Sequence, residues 1–524
     1  MAFTTSRRCA LMLLMTPGLA LLYGGTARAA AQSITYAQPG AGRAEYFAWA
    51  RLGRWSQVFK LPNVAIHTHV LPNGKVLFWG RRDRPTDSMH AHACMPFIWD
   101  PTTGKLAATP APTRADGTKV NLFCSGHAFL PDGRLLVVGG HVTDGDGLDQ
   151  ACLYDYRTNT WTALPVMNQR RWYPTATALP DGTVLVSSGS YKENGTVVIN
   201  DIPQMWDGRQ WGPAARFAGL PMYPRLHIAP SGQMFASGSN AIIYADAHGG
   251  WSALSRPRGT RQNGERQYGP SVMYDAGKVI YIGGSNDEGT DVPTATAEVI
   301  DFCANPPVWH QTASMHFPRR QHNATVLADG TVLVTGGTGG PGFNDLSPGK
   351  PVHVAELWDP ATEEWTKLAA ERVDRCYHAT AVLLPDATVL SAGGGEFAVG
   401  GQSNDLRHSH RNAQIFHPPY LFRGPRPQIA SAPTDITYGQ IFSLKISGPA
   451  IAKVTWIRLP SVTHASDQSQ RLTVLKFRSD AGGLTVTAPT GPEICPPGHY
   501  MLFALSDAGV PSVARIVRIS PPGA

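Results

Sequence analysis

One phrase recurs seven times along this chain: an apolar run, a Pro-Asp-Gly or similar turn, a second apolar run and a Gly-containing end. It reads THVLPNGKVLFWG at 68–80, GHAFLPDGRLLVVGG at 126–140, TATALPDGTVLVSSG at 175–189 and LHIAPSGQMFASG at 226–238. It continues as SVMYDAGKVIYIGG at 271–284, NATVLADGTVLVTGG at 323–337 and ATAVLLPDATVLSAGG at 379–394. Asp-Gly or Asn-Gly between apolar runs supplies positive φ angles, so each copy predicts a β-hairpin. Most copies lead into a strand ending in an aromatic or Asp, as at Trp99-Asp100, Tyr154-Asp155, Trp206-Asp207 and Trp358-Asp359. A further Trp follows the next turn at 161, 211, 251, 309 and 365. Four strands at a period of roughly fifty residues match the kelch type of β-propeller blade. A single unit cannot cover its own apolar faces, so the ring must close to bury them. The expected fold is all-β: a seven-bladed kelch-type β-propeller over 32–417.

After His417 the phrase stops. Pro418-Pro419-Tyr420-Leu421-Phe422 and Arg423-Gly424-Pro425-Arg426-Pro427 read as a linker. Short alternating runs follow at 441–446, 453–458, 472–477 and 500–505, which predict an immunoglobulin-like β-sandwich over 418–524.

The first residues read as an address. Arg7 and Arg8 precede an apolar stretch from Cys9 to Tyr23, and Ala27-Arg28-Ala29-Ala30-Ala31 closes it. This is the pattern of a secretory signal over 1–31 with cleavage near residue 30, by the Sec rather than the twin-arginine route. The expected destination is secreted or periplasmic, with no membrane span. Six cysteines remain after cleavage, at 94, 124, 152, 303, 376 and 495, with no C-x-x-C pair to suggest zinc or an iron–sulfur cluster. Disulfides are permitted in that compartment, and fifteen full pairings stay open. The chain is 42% hydrophobic and 16% charged, with 54 Gly and 43 Pro, which suits turn-rich all-β structure and excludes disorder. Its net charge of +7 lacks the concentrated basic stripe that a nucleic-acid partner requires. A monomer is expected.

The repeats also provide a ruler. Nine residues before each turn Gly, or eight before the Asp of the last copy, stand Ala65, Cys124, Tyr173, Tyr223, Tyr268, Gln321 and His378. Equivalent positions lie at one height around a propeller channel, so Cys124, Tyr173 and His378 should meet there, with Tyr377 beside them. Taken singly, each reads as a hydrogen-bonded rim residue. Together, mixed oxygen and imidazole donors suit copper(II). A second imidazole must come from elsewhere; His322 and His127 stand near the same strand ends.

Here a resemblance becomes specific. Phe123-Cys124, Arg171-Trp172-Tyr173-Pro174, Cys376-Tyr377-His378 and Thr463-His464, with Asn412-Ala413-Gln414-Ile415-Phe416, resemble the galactose oxidase and glyoxal oxidase family over nearly all of the mature chain. The Arg-Trp-Tyr-Pro phrase is closer to the glyoxal oxidases, and no room exists before the first blade for galactose oxidase's carbohydrate-binding domain. The resemblance implies one copper ion held by Tyr173, Tyr377, His378 and His464. It implies a thioether between Cys124 and Tyr173, the protein-derived radical cofactor, and catalytic roles for Cys124, Tyr173 and Tyr377. His464 would arrive on a hairpin from the sandwich. The implied reaction takes a primary alcohol or hydrated aldehyde and O₂ to an aldehyde or carboxylate and H₂O₂. Counting from Ser188-Gly189-Ser190, Tyr191 stands where galactose oxidase has a Trp that stacks on the crosslinked Tyr. That expectation makes Tyr191 a stacking residue and the protein a weak oxidase of bulky sugars.

The competing reading is a non-catalytic kelch propeller that binds a glycan or protein. It is disfavoured because every implied metal-site residue is present, one of them outside the repeats. A quinone-dependent dehydrogenase on a propeller has no motif in its favour.

Overall fold

A computed structural model describes residues 43–520, except 91–93, 115, 214–219, 238–240, 246–250, 253–265, 287–290, 305, 398–405 and 481. The proposed signal over 1–31 lies outside the described residues. The architecture is all-β, a β-propeller of at least six blades followed by a β-sandwich.

Every copy of the repeated phrase forms its hairpin. Gly126–Phe129 pairs with Leu135–Val138, Thr175–Ala178 with Val184–Ser187, and Ala379–Leu383 with Val389–Gly393. The turn glycines adopt the left-handed conformation, as at Gly133 (φ 86°) and Gly330 (φ 93°). In the last copy no Gly is available and Ala387 takes φ 68° instead. Its turn is held by Asp386 Oδ1, which accepts the Thr388 N–H at 3.0 Å. The hairpins continue into third and fourth strands, such as Ala151–Asp155 and Thr160–Ala163. The recurrent Trp residues lie on these outer strands and tie neighbouring units together. Trp365 Nε1–H donates to Ala313 O and Trp211 Nε1–H to Pro165 O, each at 2.8 Å.

One repeated device escaped the sequence reading. Arg171, Arg266, Arg319 and Arg375 are buried at 0–2% exposure. Each donates to a carbonyl at the Gly end of its own hairpin: Ser188, Gly283, Gly336 and Gly393, at 2.7–3.0 Å. Glu298 and Glu356 balance two of the charges, with Arg266 Nε and Arg319 Nη2 at 3.0 and 2.6 Å from their carboxylates. Burial pulls Arg171 down to about 9 and Arg375 to about 10. These cations fix the chain just before the ruler positions.

The two ends of the propeller region meet in one sheet. Arg54–Trp55 and Phe59–Lys60 pair with Asn412–His417, which pairs with Val389–Gly393. A helix over Arg43–Leu52 precedes them, which the repeat reading did not anticipate. Its Ala, Leu, Glu and Arg residues favour the helix, and Gly53 (φ 69°) ends it. Trp49 of the helix packs on Phe422 at 5.5 Å.

The expected linker is not free chain. Pro419–Phe422 forms a buried 3₁₀ turn whose Tyr420 hydroxyl donates to Ala387 O at 2.7 Å. Beyond it, the sandwich strands include Ile441–Ser447, Ile451–Arg458, Leu472–Asp480 and Gly498–Ser506 around a core with Trp456 and Tyr500 fully buried. Its strand Ser461–Thr463 leaves that core and pairs with the first repeat, His67 opposite Thr463. The chain on either side of that strand also bonds to the repeats: Gln468 Oε1 accepts the His127 N–H at 3.0 Å, and Thr455 Oγ1 donates to Ala328 O at 2.6 Å. The six described cysteines are all unpaired, and only Cys303 is exposed.

Candidate active site

The ruler residues do stand at one level. Tyr173 N–H donates to Cys124 O at 3.0 Å, Tyr223 N–H to Tyr173 O at 2.7 Å, and Gln321 N–H to Tyr268 O at 3.0 Å. Each of these three bonds passes from one unit to its neighbour. Cys124 (φ 62°), Tyr173 (64°), Tyr223 (47°), Tyr268 (54°), Gln321 (60°) and His378 (69°) share the left-handed backbone conformation. Side-chained residues adopt it at a cost, and they do so where a site over-determines the backbone.

His464 arrives from the other domain by the same kind of strain. Thr463 pairs with Ser466 across a two-residue turn, and His464 (φ 47°) and Ala465 (φ 60°) both take positive φ. That is the signature of a type I′ turn, which Asn-Gly would fill at least cost. The imidazole is carried at the tip.

All five implied residues converge and are buried: Cys124 0%, Tyr173 3%, Tyr377 5%, His378 2% and His464 1% exposed. The phenol oxygens of Tyr173 and Tyr377 hydrogen-bond each other. The His464 ring lies 4.6 Å from Tyr173 and 4.7 Å from His378, near-perpendicular to the latter at 82°. Tyr377 stacks on His378 at 3.8 Å. The Cys124 thiol is buried beside Tyr173, whose backbone N–H donates to the Cys124 carbonyl.

The hydrogen bonds settle both imidazole tautomers. His378 Nδ1–H donates to Gly395 O at 2.6 Å, since a carbonyl can only accept. The Thr463 hydroxyl donates to Ile66 O at 3.0 Å, so His464 Nδ1–H donates to Thr463 Oγ1 at 2.6 Å. Both Nε2 atoms therefore carry lone pairs, and both are buried without a partner. Buried polar atoms are seldom left so. Two bare imidazole nitrogens beside two phenol oxygens form an N,O donor set that fits copper, with both rings oriented through their far nitrogens as metal-bound histidines are. Burial pulls His378 down to about 3 and His464 well below the ordinary value, which keeps both neutral and able to donate. Burial pushes both tyrosines up, with the neighbouring phenol adding to the effect at Tyr173. In the absence of a cation they are neutral phenols.

Tyr191 requires a correction. The ring over Tyr173 is Trp172, parallel to it at 3.7 Å and 9°. Tyr223 covers the opposite face at 4.4 Å. Tyr191 lies instead in an inserted hairpin, Ser190–Glu193 with Thr196–Ile199, opposite Val198, with the Arg170 guanidinium 5.9 Å from its ring. Counting past Gly189 failed because residue 190 begins a new strand there. Trp172 was legible in the Arg-Trp-Tyr-Pro phrase but not as the stacking residue.

The fallback imidazoles lie elsewhere. His127 hydrogen-bonds Ser461 Oγ at 2.6 Å deeper in the channel, and His322 is buried in the strand Arg320–Val326. The sequence reading missed the remaining walls. Phe343 lies 4.7 Å and Phe397 5.3 Å from Tyr377, and Phe123 lies 5.3 Å from His378. Arg81, 2% exposed, sets its guanidinium 4.8 Å over Phe123. It is held by Asp144 at 2.9 Å and the Met89 carbonyl at 2.9 Å.

Comparison with known proteins agrees with this geometry. Residues 108–420 match the glyoxal oxidase N-terminus family and 426–519 the galactose oxidase-like early set domain. A galactose oxidase of Gibberella zeae is 28% identical over 94% of this chain and 72% of its own length. An aldehyde oxidase GLOX of Vitis pseudoreticulata is 29% identical over 87% of this chain and 92% of its own length. The fold is shared with a fungal alcohol oxidase solved in complex with copper, at a TM-score of 0.77 and 24% identity over 90% of this chain and 100% of that one. Fold and relatives together define the class, a copper-radical oxidase. The chain belongs to the glyoxal oxidase family.

Proposed function

We propose that this oxidase holds its copper on Tyr173, Tyr377, His378 and His464, and carries its second oxidising equivalent on Tyr173 crosslinked to Cys124. The observation that carries the reading is the pair of buried, unpartnered Nε2 atoms facing two phenol oxygens. Copper bound there would supply one of the two oxidising equivalents and draw a proton from a coordinated hydroxyl. With that charge in place both tyrosines would be phenolates, against the effect of burial. Tyr377 then accepts the hydroxyl proton of the substrate as general base. The oxidised Tyr173 oxygen takes the hydrogen atom from the substrate carbon. Cys124 tunes that ring, because a thioether sulfur donates electron density and lowers the phenol's oxidation potential. Trp172 and Tyr223 clamp it from both faces. Phe123, Phe343 and Phe397 keep the surroundings apolar, so the radical meets little water. Over the cycle, alcohol plus O₂ gives aldehyde plus H₂O₂; a hydrated aldehyde presents the same C–H and O–H and gives a carboxylate.

We also infer seven kelch-type blades over 32–417, the last being the sheet that Arg54–Trp55 joins, with the sandwich over 418–524 supplying His464. The Arg-Arg start, apolar stretch and Ala-rich end support export to the periplasm or medium with cleavage near residue 30. No helix of the described residues is long and apolar enough to cross a membrane.

The test is peroxide release from copper-loaded, oxidised protein across a panel of primary alcohols, aldehydes and sugars. Small alcohols or aldehydes should give peroxide in equal amount to product. Absence of peroxide from every member would contradict the proposal.

A further inference from the structure

The Trp172 indole that lies on Tyr173 is not an isolated shield. Its Nε1–H donates to His141 Nδ1 at 3.1 Å. An indole nitrogen can only donate, so His141 carries its lone pair on Nδ1 and its proton on Nε2. That Nε2–H faces His90 Nδ1 at 3.0 Å, with the two imidazoles stacked 5.2 Å apart at 14°. His90 in turn keeps its proton on Nε2. His141 is 2% exposed, whereas His90 is exposed. The hydrogen bonds therefore run in one direction, from the covered face of Tyr173 to the protein surface.

Asp144 stands close by, its oxygen and one nitrogen of each imidazole lying within 4.8 Å of one another. A cation on His141 Nε2 would need the lone pair there and the proton on Nδ1, facing the Trp172 donor. With the Trp172 bond in place, the cluster is a hydrogen-bonded path rather than a metal site.

We propose that Trp172, His141 and His90 form a proton-coupled exit for the oxidising equivalent held on Tyr173. The idea rests on the Tyr173 radical proposed above. One electron passes from the Trp172 indole to oxidised Tyr173, which returns to phenolate. The Trp172 Nε1 proton moves to His141 Nδ1, the His141 Nε2 proton moves to His90 Nδ1, and His90 releases its Nε2 proton to water. The products are reduced Tyr173, a neutral indole radical and one solvent proton. Without the imidazole, the oxidised indole would keep a full positive charge in a largely buried place, which burial opposes. In the absence of substrate, the path draws the oxidising equivalent off the cysteine–tyrosine ring. His141 is a positioning and proton-accepting residue, outside the reaction with substrate.

The test follows the radical itself. Copper-loaded, oxidised, substrate-free protein is held without oxygen, and decay of the radical absorption, with the return of the copper(II) electron-spin signal, is timed in H₂O and D₂O. His141→Gln keeps an acceptor for the Trp172 N–H, through its amide oxygen, but cannot pass a proton on. The parent should decay more slowly in D₂O. His141→Gln should decay roughly 2- to 10-fold more slowly than the parent, the scale of one lost hydrogen bond in the proton path, and lose the isotope effect. Peroxide release under substrate should stay unchanged. Decay and isotope effect equal to the parent's would overturn the exit. Faster decay would overturn it too, since His141 would then only hold the indole in place. No radical signal in the parent would instead contradict the proposed function, and the exit would fall with it.

Discussion

The imidazoles of His378 and His464 meet at 4.7 Å and 82° although one belongs to the propeller and the other to the sandwich. Each has its Nδ1 engaged and its Nε2 bare. His464→Ala should therefore fold yet lose copper affinity by more than about 100-fold, beyond the ~10–100-fold typical of losing an outer hydrogen-bond partner. Calorimetric titration checks this, with thermal unfolding of the copper-free variant as the control. Retained affinity would mean that His464 is not a ligand.

Cys124 and Tyr173 stand on adjacent units, both buried and linked by the Tyr173 N–H to Cys124 O hydrogen bond. Aerobic copper loading should join them. The bond closes a loop, so the reduced, denatured protein should migrate faster on a gel than Cys124→Ser, and the unmodified Tyr173 peptide should disappear from a digest by mass spectrometry. Equal mobility with an intact peptide would refute the crosslink.

The stacking partner of the radical is Trp172 rather than Tyr191. An electron-rich indole face stabilises an electron-poor ring, and a stacked pair is worth about 0.5–1.5 kcal/mol. Trp172→Ala should raise the Tyr173 midpoint potential by about 20–65 mV, on the scale where tenfold is 59 mV. Tyr191→Phe and Tyr191→Trp should leave it in place. Redox titration of the radical band decides. A shift with Tyr191 variants but not with Trp172→Ala would reverse the assignment.

Asp467 holds the hairpin that presents His464, accepting the Ser461 N–H at 3.1 Å and the Ser469 N–H at 2.9 Å. Burial pushes its carboxyl up from 3.8 to about 6. A raised value means that the folded chain binds the proton more tightly than the unfolded one. The stabilisation is complete below the ordinary value and is lost as pH rises through about 6. Denaturant unfolding of copper-free Asp467→Asn at several pH values should show a flatter profile across that window, by on the order of 2–3 kcal/mol. An unchanged slope would assign the pH dependence to another group.

Much of this was legible in the sequence because it repeats. Seven hairpins with the same turn fix a ruler, and the ruler placed Cys124, Tyr173 and His378 at one level without any coordinates. The ruler also put Tyr377 beside them, and the resemblance added His464. What stayed hidden has no period. Trp172 sits one residue before the crosslinked tyrosine, and which neighbour covers that ring depends on a strand begun at Ser190, which counting cannot see. Arg81 and His141 approach the site from outside the ruler. The buried arginines do recur, at 171, 266, 319 and 375, but the last stands one residue further from its ruler position, which breaks the spacing. The left-handed backbone of the ruler residues was invisible for a different reason. Cys, Tyr and Gln carry no preference for positive φ, and the enrichment of His there is too weak to signal it.

The most direct test of the central claim is the electron-spin spectrum of the protein with one copper per chain, before and after one-electron oxidation. The account predicts a single copper(II) signal with splitting from two imidazole nitrogens, His378 and His464. It predicts that oxidation abolishes this signal, because the unpaired electron on Tyr173 couples to that of the metal. A copper(II) spectrum that survives oxidation unchanged, or one lacking nitrogen splitting, would contradict it.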